Sequence, residues 1–273
     1  MLLAVDVGNT NTKLGVYDGR RLLASFRITS RREQTADEYG AFAHALLKGR
    51  SIDPAGITDI AISSTIPTVQ RTLEETCARY FGVVPFVVEP GGNVAVPMVV
   101  DYPREVGPDR VVKVLAGIEL YGPPLIIVDF GTATTFECVS PRGEFLGGAI
   151  APGIATASDA LTARAARLFR VELVRPPTAI GRNTVTNIQS GIVYGYAGLV
   201  DGLVERMRAE MEGAPRVVGT GGLVGLIQEI SRSIEIVNPH LTLEGLRIAC
   251  ERWRERIGGG SGAAGAAEGA TEA

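Results

Sequence analysis

The chain opens with an apolar run over residues 2–7, too short for a helix and closed by a Gly/Asn/Thr turn, the pattern of a buried strand. Alternating apolar positions continue through Leu14 and Val16 and resume over residues 22–28, with Asp18-Gly19 between them. Asp-Gly between two alternating runs signals a hairpin, because these residues tolerate the positive φ that a tight hairpin turn requires. The chain is therefore expected to begin as a three-stranded meander. Helical spacing follows over residues 36–47, a strand over 57–62, a helix over 67–80 opened by Pro67, and a strand over 83–88. Residues 90–108 are rich in Gly and Pro and read as a long connection, and 110–120 reads as a helix.

The opening pattern then returns. A short apolar strand over 125–128 ends in Asp129, a Gly/Thr turn follows, and strands are expected over 136–139 and 144–150 around the turn Pro141-Arg142-Gly143. A helix starts near Pro152, a long one covers 184–212, Val217-Val218 leads into Gly219-Thr220-Gly221-Gly222 and a further helix, and the last helix covers 242–257. Both halves share one order: apolar strand, Asp, x, Gly, small hydroxyls, second strand, tight turn, third strand. Such a duplication implies an α/β fold of two related domains with a cleft between them. The expected division is 1–115 and 116–257, with a Gly/Ala-rich tail over 258–273 that lacks packing residues.

Composition narrows the function. The chain has 273 residues, is 45% hydrophobic, and carries a net charge of −3, so it lacks the basic excess of a nucleic-acid binder. Three scattered cysteines and two histidines in unrelated contexts argue for buried thiols in a reducing compartment, and against a zinc site or a Ser-His-Asp triad. The start lacks a signal peptide and no apolar run is long enough to span a bilayer, so a cytoplasmic protein is expected.

Three Gly-rich turns carry candidate chemistry. In Asp6-Val7-Gly8-Asn9-Thr10-Asn11-Thr12-Lys13, Gly8 lets backbone approach a ligand, N–H groups and hydroxyls surround an anion, and Lys13 adds a point charge. A polar hairpin turn facing water is the plainer reading of the same residues. Asp129-Phe130-Gly131-Thr132-Ala133-Thr134-Thr135 repeats the arrangement, and each Asp would orient a cation directly or through water. Gly219–Gly222 sits between a strand and a helix, where a nucleotide can lie close to backbone; alone it is equally a plain turn. No Walker A, H-R-D or D-F-G sequence is present.

This ordered set resembles the actin-like (ribonuclease H-like) superfamily of sugar kinases, acetate kinases and chaperone ATPases. With Gly107-Pro108-Asp109-Arg110 between the first two turns, and Gly181-x-Asn183-Thr184 and Ser190-Gly191 after them, the chain resembles the type III pantothenate kinases over residues 1–257. The resemblance implies ATP-dependent phosphorylation of pantothenate, the entry step to coenzyme A. It implies Asp109 as general base, with Gly107, Pro108, Arg110 and Thr184 holding substrate. Asp6 to Lys13, Thr132, Gly221 and Gly222 would bind ATP, with Mg²⁺. Asp129 would sit at a monovalent cation site for K⁺ or NH₄⁺. It implies a homodimer, with an apolar 184–212 helix available for packing, and neither nucleic acid nor membrane as partner. Without the resemblance, Asp109 reads as a helix-start acid favoured by the dipole, and Thr184 as an N-cap. Two departures stand out. The family often has Asn where this chain has Lys113, and Val100 stands where a substrate-binding Tyr is expected, Tyr102 lying about two residues late. Another actin-like phosphotransferase, or a non-catalytic regulatory protein, are the competing readings.

Overall fold

A computed structural model describes residues 1–260 and contains the opening meander. β1 (Leu2–Val7), β2 (Asn11–Asp18) and β3 (Arg21–Thr29) pair antiparallel, turning at Gly19, whose φ is +54°. After α1 (Ala36–Lys48), β4 (Asp59–Ser64) joins the other side of β1 in parallel; α2 (Pro67–Thr76) and β5 (Phe86–Val87) complete a sheet of order β3-β2-β1-β4-β5. Thr35 caps α1 in a reciprocal box with Glu38, and Pro67 opens α2 where no N–H is needed.

α3 (Pro108–Tyr121) leads into the repeat. β6 (Leu125–Phe130), β7 (Ala133–Val139) and β8 (Phe145–Pro152) form a second antiparallel meander. α4 (Ile154–Arg164) and α5 (Thr184–Glu210) follow, then β9 (Arg216–Gly221), α6 (Val224–Ile227), β10 (Ile236–Val237) and α7 (Leu241–Gly260). β9 lies parallel to β6, and the sheet reads β10-β9-β6-β7-β8. Read from the other edge this is β8-β7-β6-β9-β10, the topology of the first sheet, so the repeat seen in the sequence is a repeat of fold.

Each sheet packs one face on its own core. In the first, Leu3, Val5 and Val7 of β1 join Ile60 and Ile62 of β4, Tyr39 and Leu47 of α1, and Val69 and Leu73 of α2. In the second, Ile126, Val128 and Phe130 of β6 meet α5 through Ile188, Ile192, Tyr196, Val200 and Val204, a single ridge at i, i+4 spacing. Cys77, Cys138 and Cys250 are buried, and burial pushes the Cys77 and Cys250 thiols up to about 12, so both are inert packing groups.

The chain divides into two units, one of Met1–Ala95, Gly107–Val112 and the segment from Thr242, the other of Val96–Val106 and Lys113–Leu241. This differs from the expected division at 115/116 because the last helix returns to the first sheet. A Cβ on Gly15 of β2 would lie 3.0 Å from Leu243 of α7, the Arg247 guanidinium lies 5.9 Å from the Tyr17 ring centroid, and Trp253 packs on Phe86. Such a return is invisible to local periodicity. Residues 258–260, expected in the tail, belong to α7, and the rest of the expected tail lies outside the described residues. The strand expected over 57–62 starts at Asp59, because Pro54–Gly56 takes up a 3-10 turn before it.

A Cβ on Gly245 of α7 would fall 2.0 Å from the carbonyl oxygen of Val112. Two helix backbones touch there, and the contact fixes the base of the segment carrying Asp109. Gly245→Val is therefore expected to lower stability by about 3 kcal/mol or more, the upper range of overpacking costs, measured from the urea midpoint. A change below ~0.5 kcal/mol, typical of tolerant surface sites, would show that the contact does not anchor α3.

Candidate active site

In the first unit the candidate anion loop grows out of β1. Leu3, Val5 and Val7 turn toward the core, so alternation puts Asp6 on the opposite face, beside its cross-strand partners Lys13 and Ser63. Asp6 is 7% exposed. The turn is tight: Gly8 N–H donates to the Asn11 carbonyl at 3.1 Å, leaving Asn9 and Thr10 exposed. The strand resumes at Asn11, so Thr12 and Lys13 are strand residues and not turn residues. Thr12 is buried; its hydroxyl bonds Ser30 Oγ at 2.9 Å, and Ser30 Oγ donates to the Gly8 carbonyl at 2.7 Å. Thr65 braces the other side, donating from its backbone N–H and its hydroxyl to the Val7 carbonyl. Ser30 and Thr65 are site-shaping residues that sequence reasoning missed. Each sits just past the end of a strand neighbouring the loop strands, a position set by pairing register and not by local pattern.

α3 begins at Gly107-Pro108-Asp109-Arg110. Arg110 and Val111 N–H groups donate to the Gly107 carbonyl, and the Asp109 carboxylate folds back so that a Cβ on Gly107 would lie 2.7 Å from Asp109 Oδ1. All four residues are half-buried, whereas Val111 to Gly117 are buried without a break. α3 thus presents one polar turn and then runs buried from Val111 to Gly117, Lys113 included.

In the second unit β6 ends in the counterpart loop. The Gly131 N–H donates to the Ala133 carbonyl at 3.0 Å, and Gly131 and Thr132 are exposed. The start of α4 is tied to this turn: the Gly153 N–H and the Thr156 hydroxyl both donate to the Thr132 carbonyl, at 3.0 and 2.7 Å. Thr134 and Thr135 are strand residues, and their hydroxyls are buried. Gly221 ends β9 opposite Phe130, with a φ of +96°; a Cβ there would lie 2.4 Å from Asp129 Oδ1. Only glycine fits that position. Asp129, Thr132, Gly221 and Gly222 therefore gather at the carboxyl ends of the parallel pair β6 and β9, the usual ligand edge of open α/β sheets.

Lys113, a departure from the family pattern, is fully buried, and its Nζ lies 2.6 Å from Asp129 Oδ2. Thr184 occupies the first turn of α5 and is exposed, but it is not the cap. Asn183 is: it is extended (φ −152°, ψ 168°), and its Oδ1 accepts from the Thr186 N–H at 2.9 Å. Asn183 also fits the capping chemistry that Thr184 was assigned, one residue earlier. Val100 lies near Gly147, at 3.7 Å from a Cβ built there, and Tyr102 is exposed.

Among the described residues no helix is long and apolar enough to cross a membrane. The first unit carries a tight polar turn beside Asp6 and a half-buried carboxylate at a helix start, and the second carries a tight polar turn and a glycine edge beside Asp129. A family model described as type III pantothenate kinase matches residues 2–206. The type III pantothenate kinase of Anaeromyxobacter sp. (strain Fw109-5) is 52% identical over 254 residues, spanning 93% of this chain and 100% of that one. Among solved structures, a ROK hexokinase from Thermus thermophilus aligns with a TM-score of 0.53 at 14% identity over 93% of this chain and 99% of that one. The activator of 2-hydroxyisocaproyl-CoA dehydratase from Clostridium difficile, solved with bound ADPNP, aligns with a TM-score of 0.51 at 12% identity over 100% and 99%. At these identities the solved structures speak for the actin-like fold alone, while the family match and the close relative cover most of the chain: the chain belongs to the type III pantothenate kinase family.

Proposed function

We propose that this protein transfers the γ-phosphate of ATP to the primary hydroxyl of pantothenate, giving 4'-phosphopantothenate, the first step toward coenzyme A. The observation that carries the reading is the polar turn Gly107–Arg110 at the head of a buried helix, in a chain half identical to a pantothenate kinase over nearly its whole length. Asp109 is the general base. Its carboxylate is half-buried at a helix start, where it can accept the hydroxyl proton as that oxygen attacks phosphorus. Arg110 is the fixed positive charge beside it, and the exposed Thr184 hydroxyl, released from capping by Asn183, is a further substrate contact. Gly8 to Thr10 and Gly131-Thr132 present backbone N–H groups and hydroxyls to the phosphates, Lys13 adds charge, and Gly221-Gly222 leave room for the adenosine.

Mg²⁺ fits this donor set. Among the described residues no three His, Cys, Asp or Glu side chains cluster as a metal cage. One carboxylate such as Asp6 together with phosphate oxygens and water is the usual manner of holding this ion. When bound it neutralises phosphate charge; the chain's own groups bind, orient and deprotonate. A monovalent cation at Asp129 does not fit in the same way, because that carboxylate already holds the Lys113 ammonium.

The working form is a cytoplasmic homodimer. What supports the dimer is the outer face of α5, where Gly191, Gly195, Gly198 and Gly202 recur at 4-3-4 spacing and a Cβ on each of the first three would meet nothing. Helix glycines cost roughly 1 kcal/mol each relative to alanine, a cost that close approach of a partner helix explains. Light scattering is expected to read twice the chain mass, and a single-chain mass at low concentration excludes the dimer.

The activity is tested with ATP and a panel of acceptors. Pantothenate is expected to be preferred over sugars and acetate, and Asp109→Asn is expected to lower kcat by about 10²-fold or more, the contribution of a positioned base. Preference for a sugar or carboxylate would overturn the substrate; undiminished kcat in the variant would remove Asp109 as base.

A further inference from the structure

Lys113 is a charged residue where the sequence otherwise provides only apolar ones. Val111, Val112, Val114, Leu115 and Ala116 around it on α3 are each at most 2% exposed, and Lys113 itself is 0% exposed. An ammonium taken out of water is costly unless a counter-charge meets it at close range. Asp129 does so, with Nζ to Oδ2 at 2.6 Å and side-chain exposures of 1% and 13%.

The geometry is set by the helix. Lys113 and Gly117 are four residues apart and share a face of α3. At Gly117 a Cβ would lie 2.7 Å from Ile127 Cδ1 and 3.2 Å from Leu125 Cδ1, so the helix backbone rests on β6 there. One turn earlier, Lys113 lies two residues further along β6, at Asp129. That face of the sheet is the one that alternation gives to Leu125, Ile127 and Asp129, with Ile126, Val128 and Phe130 on the other. Glu137, buried and paired in register with Ile127, shares the face with Asp129. Among the described residues of this unit, Lys113 is the only buried lysine or arginine, and its ammonium is paired with Asp129.

One oxygen of Asp129 is thereby assigned: Oδ2 is on Lys113, while Oδ1 is buried next to the Gly221 backbone. The resemblance puts a K⁺ or NH₄⁺ ion at this carboxylate. A lysine side chain is a tethered alkylammonium, the same charge in nearly the same chemical form as NH₄⁺. A second cation at Asp129 would meet that charge at contact range in a site with little water to screen it.

We infer that Lys113 supplies from within the chain the positive charge that a bound monovalent cation would supply, so that this protein works without added potassium or ammonium. The inference rests on the proposed kinase activity for its rate readout. Lys113 acts as a positioning residue: it holds Asp129 in one orientation and offsets its charge, so that the turn Gly131-Thr132 meets a polyphosphate without a bare carboxylate behind it. In a site built this way the lysine carries no cost of ion capture and no dependence on ion concentration.

The test has two parts. Phosphate transfer is measured in choline buffer at constant ionic strength, with K⁺, NH₄⁺ or Na⁺ replacing choline. The wild-type rate is expected to vary within about twofold, as screening alone allows. Lys113→Asn, which removes the ammonium and leaves space and an amide oxygen, is expected to lose about tenfold or more in choline and to regain rate saturably with K⁺ or NH₄⁺. A saturable wild-type requirement for K⁺ of about tenfold overturns the inference, as does a Lys113→Asn variant that is fully active in choline. Independently of activity, crystals are soaked in thallium(I), a heavy substitute for K⁺. No anomalous peak is expected at Asp129 in the wild type, and a peak there overturns the inference even if the variant does not fold. Failure to phosphorylate any acceptor under any cation would sink the kinase reading, and the thallium soak would still decide the role of Lys113.

Discussion

A central strand covered on both faces has no room for polar chemistry along its length, and this constraint organises each unit of the fold. β1 is flanked by β2 and β4, and β6 by β7 and β9. Both carry unbroken apolar runs until a single carboxylate near the end, Asp6 or Asp129. A glycine two residues later then lets the chain reverse within a turn too tight for side chains, and the reversal exposes backbone N–H groups beside the acid. The candidate phosphate-binding turns stand at those strand ends, whereas Asp109 and Thr184 stand at the starts of α3 and α5. The hydroxyls that look like ligands in the sequence divide accordingly: Thr10 and Thr132 are exposed, while Thr12 and Thr134 are buried, Thr12 bracing its turn through Ser30.

The repeat, the two meanders and the first two Gly-rich turns were legible in the sequence because each is encoded locally, by alternation, by Asp18-Gly19 and by strand-ending acids; of the third, Gly219 to Gly221 still belong to β9 and only Gly222 lies in the turn. What local pattern does not encode is pairing at a distance. β10 has two residues and exists only through its ladder with β9. Ser30 and Thr65 matter because register brings them to the Gly8 turn. α7 belongs with the first unit because Gly245 allows its backbone to reach that of Val112, 133 positions earlier in the chain. Asn183 rather than Thr184 caps α5 because the extended backbone falls one residue sooner, and either residue type satisfies the chemistry of a cap.

Lys113 shows how a departure from a family pattern acquires meaning only with burial. In the sequence it is a basic residue in place of a common asparagine, a reason to doubt the pocket. In the fold it is a buried ammonium in contact with the carboxylate at which an ion is expected, one helical turn from the glycine that lets α3 settle on β6. Removing one member of a buried pair is far more damaging than exchanging both, so a lysine at this position commits the chain to keeping the acid, and the acid to keeping the lysine.

The central claim is that Asp109, at the half-buried head of α3, is the group that faces the attacking hydroxyl. The most direct measurement is a crystal structure with a non-hydrolysable ATP analogue and pantothenate. The account predicts the primary hydroxyl of pantothenate within about 2.6–3.2 Å of an Asp109 carboxylate oxygen and aimed at the γ-phosphorus. A hydroxyl bound elsewhere, with Asp109 still folded over Gly107, would contradict it.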